Sequence, residues 1–435
     1  MRRFQIAPGV HLSYDAAQKF NRCRISIHFA FPARRETATA HALLPLVMER
    51  GYADCPDMTQ MTKTLARLYG ADLTVDARPF GANHNLCVSA TGIKDRFALE
   101  GEPLTREYAG LALGTAFHPA FVGGVFDPEA VGIEKQMLRK ALEDEVNEKR
   151  IYCQRQANRE FFGDSPAGIR QEGYLEEVDA LTPEALTAAY REMLETAQIE
   201  LLILGCEEAE TEQVKDALLR ELSAVERRPA PLCGNMAMPR REPARKVECF
   251  DTVQAKLCML FTTGEANPNP PSVSILRVAM SVLGGSATSR LFRNVREKQS
   301  LCYYCGSAAQ RATGVMMIDS GVEPGKEQQA EAAIIAELEG LKNGPITQEE
   351  VDDCRRGLLS SMDALGDSLA ALENWYYGQI TRGEPLYPPE YGKVLTSAVS
   401  LDEVRQTLQS YSYSVCYAVT AEPGTQGKGG SEDVE

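Results

Sequence analysis

No apolar run in this sequence approaches the roughly 20 residues needed to cross a bilayer. Its first residues, Met1-Arg2-Arg3-Phe4-Gln5, turn polar too soon for a signal-peptide core. Positive charge is in deficit, with 46 Lys and Arg against 61 Asp and Glu and a net charge of −15. Nucleic acids and anionic membranes recruit clustered cations, so neither is expected as a partner. Histidine is scarce, five in 435 residues, and no two lie four apart. No helix face therefore carries a His pair for a metal ion. Twelve cysteines run from Cys23 to Cys416 without the dense spacing of a secreted disulfide framework. Among them is one C-x-x-C, Cys302 to Cys305, with no second copy to complete a zinc site. Leu301 to Gly306 reads as a strand, whose period of two turns these cysteines to opposite faces. With 44% apolar and 25% charged residues, the composition is that of an acidic globular protein of several domains. A cytoplasmic location is expected.

The pattern breaks once, between Glu226 and Lys246, where Pro229, Pro231, Pro239 and Pro243 fall among basic residues. Proline fixes φ and removes amide donors, so 226–246 is predicted to be a stiff, extended linker. It separates modules 1–225 and 247–423, with a Gly-rich charged tail, 424–435, predicted to be disordered. The modules resemble each other. Leu65 to Gly92 aligns without gaps with Val295 to Val322, each reading as a helix end, an alternating strand, a turn and a second alternating strand. Later, Thr182-Pro183-Glu184 and the capping box Ser400-Leu401-Asp402-Glu403 each open a helix that leads to a strand. Offsets of 230 and 218 residues leave 12 extra in the first module, assigned to the polar loop Glu100 to Glu107. The predicted fold is α+β, two homologous modules each with a mostly antiparallel sheet flanked by helices.

From Gly284 to Tyr304 the chain reads GGSATSRLFRNVREKQSLCYY. This segment resembles the second module of the insulinase and mitochondrial-processing-peptidase (pitrilysin-like) zinc metallopeptidases. Their pattern Gly-Gly-x-x-Ser-Ser-Arg-Leu-Phe, then Arg-Glu-Lys-x-x-Leu-x-Tyr, is met at Gly284, Gly285, Ser289, Arg290, Leu291, Phe292, Arg296, Glu297, Lys298, Leu301 and Tyr303. The resemblance implies two homologous α+β modules joined by a linker. It also implies a first-module helix bearing His-x-x-Glu-His, in which the histidines hold zinc and the glutamate acts as base. At the matching place this chain has His41-Ala42-Leu43-Leu44-Pro45. His41 keeps the first position, but Leu44 replaces the base and Pro45 the second histidine, and neither can bind metal or move a proton. Near the expected third ligand, about 75 residues on, the chain reads Gln136 to Ala141, with Arg139 and Lys140 unfavourable to a cation.

The retained pair is Arg296 and Tyr303. In relatives such a pair reaches a first-module zinc site and donates hydrogen bonds to substrate and developing oxyanion. The resemblance therefore implies a non-catalytic subunit that helps enclose a peptide substrate. It would lend Arg296 and Tyr303 to a zinc-bearing paralogous partner and hold no cofactor itself. A scaffold of the same fold, or self-association, is the alternative, with Arg296 and Tyr303 as packing residues. Gly284 and Gly285 read either as a turn or as part of a substrate-handling loop. Ala82 to Ala90 aligns with the family's substrate-binding edge strand, which pairs with extended peptides. With base and ligand replaced, purified protein should carry no stoichiometric zinc and cleave no unstructured peptide. Elemental analysis finding about one zinc per chain, lost in His41→Ala, would contradict that reading.

Overall fold

A computed structural model describes residues 1–264 and 271–422; the tail 424–435 lies outside them. Two sheets carry the fold. The first contains β1 (Arg2–Ala7), β2 (Val10–Asp15), β3 (Arg22–Pro32), β4 (Asp72–Phe80), β5 (Asn83–Ile93) and β8 (Gln198–Leu204). Between β5 and β8 lies a small hairpin, β6 (Phe121–Val122) with β7 (Val125–Phe126). The second sheet contains β9 (Ala244–Phe250), β10 (Ala255–Thr262), β11 (Cys302–Gln310), β12 (Val315–Val322) and β13 (Ser412–Ala421). Spatial orders are β1-β2-β8-β3-β5-β4 and β11-β12-β10-β13-β9. Setting aside β1, both follow one scheme in which the first and last strands of the module pair in parallel. All other neighbours are antiparallel. The architecture is α+β, with two homologous modules.

The helices form where the sequence places their start signals. Thr182 caps helix Pro183–Thr196 by accepting from the amide of Ala185, and the Ser400–Glu403 capping box opens helix Leu401–Ser410. Alternate residues of β3 (Ile25, Ile27, Phe29, Phe31) and β5 (Leu86, Val88, Ala90) build one core with the helices on that face. Leu257, Met259 and Phe261 of β10, with Met316 and Ile318 of β12, do the same in the second sheet.

Three features depart from the sequence reading. The hairpin turn spans residues 81–82 in the first module and 311–314 in the second, so the alignment holds for β4 with β11 but needs a two-residue insertion before β12. The extra length of the first module is also divided. Ten residues (94–103) precede helix Leu104–Phe117 where four (323–326) precede helix Glu327–Asn343, and ten (118–127) follow it where four (344–347) follow its counterpart. The second of these is the β6–β7 hairpin, outside the predicted loop.

The third departure concerns the units themselves. Modules 1–225 and 247–423 would be continuous in sequence, whereas the compact units are not. One comprises Met1–Asp144, Ser165–Gly234 and Ala364–Pro389; the other comprises Glu145–Asp164, Asn235–Asp363 and Glu390 onward. Each therefore takes one helix from the opposite half of the chain: Leu369–Thr381 joins the first sheet and Lys149–Phe162 the second. Residues 226–243 are irregular, and β9 begins at Ala244. Arg227 donates to the carbonyls of Leu194 and Ala197, and the Asn83 amide pairs with the backbone of Cys233.

Close packing makes one glycine decisive. A Cβ on Gly92 of β5 would fall 2.1 Å from the buried ring of Tyr108, whereas one on Gly110 would meet open space. Gly92→Ala should cost about 1–3 kcal/mol by overpacking. Gly110→Ala, in the middle of helix Leu104–Phe117, should stabilise by about 0.5–1 kcal/mol. Denaturant melts of the two variants check both signs.

Candidate functional site

The helix that would carry zinc is Ala38–Glu49, and it is buried on every side. Leu43 and Leu44 are fully buried, and Pro45 is buried beside them. A helix apolar all round belongs to a core, and here the position of the catalytic base has become part of it. Pro45 has no amide proton, so the carbonyl of His41 loses the helical hydrogen bond it would otherwise accept. The ring of His41 packs 4.4 Å from that of Phe31, and its Nε2 finds no hydrogen-bond partner among the described residues. Burial, with His84 nearby, pushes the His41 pKa down to about 3. The imidazole is thus neutral at ordinary pH. Gln136 to Ala141 lie on helix Pro128–Glu143, where Arg139 pairs with Glu143 and Asp179.

The segment holding the other sequence-predicted residues has unusual geometry. Ser281–Gly285 and Leu291–Lys298 are wound as π-helix, a winding that occurs mostly in single turns and often at functional sites. Gly284 belongs to the first: a Cβ there would lie 2.9 Å from the backbone nitrogen of Ser307 on β11, so close packing excludes a side chain. At Gly285 the nearest atom would be the Met280 carbonyl oxygen, at 3.2 Å. The second π-segment presents Arg296, whose guanidinium lies over the Phe292 ring at 4.5 Å and 3.5 Å from Glu297. Arg290 and Arg293 are both engaged by Glu350, whereas the one acidic contact of Arg296 is its neighbour Glu297.

Tyr303 follows at the start of β11. The β11–β12 register shifts between Cys302 and Tyr304, a β-bulge, and bulges re-aim side chains. Tyr303, the extra residue of the bulge, is 57% exposed, while Cys302 takes the buried pairing position that Leu73 holds in the first sheet. No protein group among the described residues hydrogen-bonds its hydroxyl. The bulge also corrects the reading of the C-x-x-C. The extra residue restores phase, so Cys302 and Cys305 both face the core and hydrogen-bond each other. That bond, aided by Ser320 and by the charge of Arg296 against the opposing effect of burial, holds the Cys302 thiol below its ordinary pKa. A second correction concerns Ala82 to Ala90. β5 pairs with β3 on one side and β4 on the other, so it has no free edge; the edges of that sheet are β1 and β4.

Sequence reading missed a cluster on the opposite face of the first sheet. His28 of β3, Cys87 of β5 and Glu373 of helix Leu369–Thr381 are all buried. They are the one group of three His, Cys or carboxylate residues among the described residues close enough to share an ion. The contacts already made there close a hydrogen-bond network. Glu373 accepts from Arg24 and from His28 Nε2, the latter at 2.9 Å. Asn85 donates to His28 Nδ1 at 3.2 Å and accepts from Tyr377, whose ring stacks on His28 at 3.7 Å. In this arrangement the His28 Nε2 proton and both Glu373 oxygens are engaged. Burial alone would raise the Glu373 carboxyl, but His28 and Arg24 outweigh it and hold it at about 2. No His-x-x-Glu-His or i, i+4 signal marks these residues, since they meet from distant parts of the chain.

Comparison with known proteins agrees with this geometry. A family profile described as "Peptidase M16 inactive domain" matches residues 180–358. The chain is 25% identical over 362 residues to "Probable inactive metalloprotease YmfF" of Bacillus subtilis (strain 168), covering 83% of this chain and 84% of that protein. A shorter match, 32% identical over 114 residues, joins 26% of this chain to 27% of "Uncharacterized zinc protease YmxG" of the same organism. The crystal structure of a conserved protein from Enterococcus faecalis V583 superposes with a TM-score of 0.86 at 24% identity, over 97% of this chain and 98% of that one, so the fold is shared. The chain is thus similar to the peptidase M16 inactive domain over residues 180–358, and its first-module helix lacks the His-x-x-Glu-His motif.

The buried groups set a pH dependence. His41 titrates near 3 in the folded state against 6.5 as a free side chain. Below about 6.5 the unfolded chain therefore takes up the proton first, and stability falls as pH drops toward 3. The slope reaches about 1.4 kcal/mol per pH unit for each such histidine, and His84, also lowered, adds in the same direction. Glu373, held at about 2 against 4.5, contributes fully above 4.5 and loses its contribution as pH falls toward 2. His41→Leu should flatten the stability–pH curve between 6.5 and 4.5, and Glu373→Gln should flatten it below 4.5. Denaturation midpoints measured from pH 7 to 3 check both windows.

Proposed function

We propose that this chain is the non-catalytic subunit of a two-component zinc peptidase, enclosing a peptide and supplying Arg296 and Tyr303 to the site of a zinc-bearing paralogue. The observation that carries this reading is a contrast between the two modules. Where the family places its zinc chemistry, this chain has filled the helix with core residues. In the second module, Tyr303 has been turned outward by a bulge, with no protein partner for its hydroxyl among the described residues. A tyrosine kept for packing would be expected to bury its ring, as Tyr304 does in part beside it. Similarity over a quarter of the chain to a protein named as a zinc protease indicates the kind of partner. The partner would carry the zinc, and this chain would need no cofactor. No helix among the described residues is long and apolar enough to cross a membrane, which accords with a cytoplasmic pair acting on soluble peptides.

A scaffold role is favoured by one observation, the stacking of Arg296 on Phe292, which accounts for that residue through packing alone. Tyr303 separates the two readings. In a complex with a zinc-bearing paralogue, Tyr303→Phe should lower peptide cleavage about a hundredfold or more while leaving assembly intact, the usual effect of removing one oxyanion donor. Gel filtration with a cleavage assay measures both quantities. Normal assembly with wild-type cleavage would make this chain a scaffold.

A further inference from the structure

The two exchanged helices occupy the same place in their repeats, each being the third α-helix after its hairpin. Each lands on the same place in a sheet. His28 lies directly opposite Cys87 on β3 and β5, and Cys258 directly opposite Asp319 on β10 and β12. Cys87 stands four residues beyond Asn83, which pairs with Phe80 to close the first hairpin. Asp319 stands four beyond Val315, which pairs with Gln310 to close the second. The positions are equivalent, yet their polar contacts have opposite sign. In the first unit the helix brings an acid, Glu373, to Arg24 and His28. In the second the helix brings a base, Arg150, to the buried carboxylate of Asp319, with Gln154 at 2.9 Å and Tyr304 at 3.3 Å completing its bonds.

Other charges on these faces have partners of their own. Glu200 is held by Arg3 and Ser13 and Lys256 by Gln254; in the second unit the docked helix also meets Glu248 through Tyr152 and, in a more exposed pair, Lys246 through Glu160. Glu373 and Asp319 are thus the buried carboxylates paired across the helix–sheet contacts. A helix settling on the sheet of its own half would set Arg150 against Arg24, or Glu373 against Asp319. A like charge set against a buried one is disfavoured, and a small repulsive element suffices to separate similar partners.

We infer that the outer face of each sheet is a docking surface for a helix of stated charge, and that these opposed charges assign each helix to the sheet of the other half. Two similar modules in one chain would otherwise offer two similar landing places.

Charge interchange in the full chain tests this. Glu373→Arg combined with Arg150→Glu leaves both sheets intact and should lower the melting temperature by about 10 °C or more, with loss of monomeric protein on gel filtration. Adding Arg24→Glu and Asp319→Arg should recover at least half of that loss. An interchanged variant that melts and elutes as wild type would overturn the proposal, as would a folded fourfold variant no more stable than the interchanged one. Should the fourfold variant not fold, the second unit decides, because Arg150 is half exposed and tolerates change. Arg150→Glu should then lower the melting temperature and Arg150→Glu with Asp319→Arg recover at least half of the drop; no recovery overturns the proposal.

Discussion

A charge buried in a protein interior must be paired, and the pairing of Glu373 with Arg24 and His28 organises the first unit. β3 and β5 are buried nearly along their whole length, so both faces of the sheet need covering. One face is apolar and is covered by the helices of its own half. The other carries Arg24, Ser26, His28, Asn85, Cys87 and Ser89, which no apolar helix could cover without stranding donors and acceptors. Helix Leu369–Thr381 answers Arg24, His28 and Asn85 with Glu373 and Tyr377. Because that helix lies far along the chain, the unit cannot be completed until most of the sequence is available.

The same constraint explains what happened around the zinc position. Helix Ala38–Glu49 lies on the apolar face, where Leu44 and Pro45 fit without the polar support a base and a metal ligand require. His41 remains as a neutral ring against Phe31. Leu44 and Pro45 in place of a base and a metal ligand go together with a closely packed, buried helix. In the second module the equivalent helix, Val273–Met280, is likewise buried and runs into the first π-wound segment. The π-wound segments and the bulge at Tyr303 keep wide backbone geometry and an outward aromatic ring, features that stability alone does not require.

Much of the fold was legible because its signals are local. Alternation in Leu73 to Ala77, the Thr182 cap and the Ser400 capping box each lie within a few residues of the element they specify. The repeat was legible for the same reason, since matching hairpins keep matching patterns. What escaped was non-local or hidden in register. A bulge inserts one residue and reverses the phase of a strand, so Cys302 and Cys305 share a face that strict alternation denies them. Two more turn residues in the second hairpin leave composition unchanged. β5 reads like any alternating strand, and its central place follows from a partner 60 residues away. Glu373 sits in a helix with no motif, so neither its sheet nor its pairing with His28 could be read in advance. His41, Leu44 and Pro45 were legible as a degenerate motif because spacing alone carries that information.

Hydrogen exchange measures whether each exchanged helix is an integral layer of the unit it joins. Amides of Leu369–Thr381 and Lys149–Phe162 should be protected to the same free energy as those of β3 and β10, and should open with them as one cooperative step. If these helices exchange through a low-energy local opening while the strands beneath stay protected, the pairing of Glu373 and Asp319 does not hold them in place.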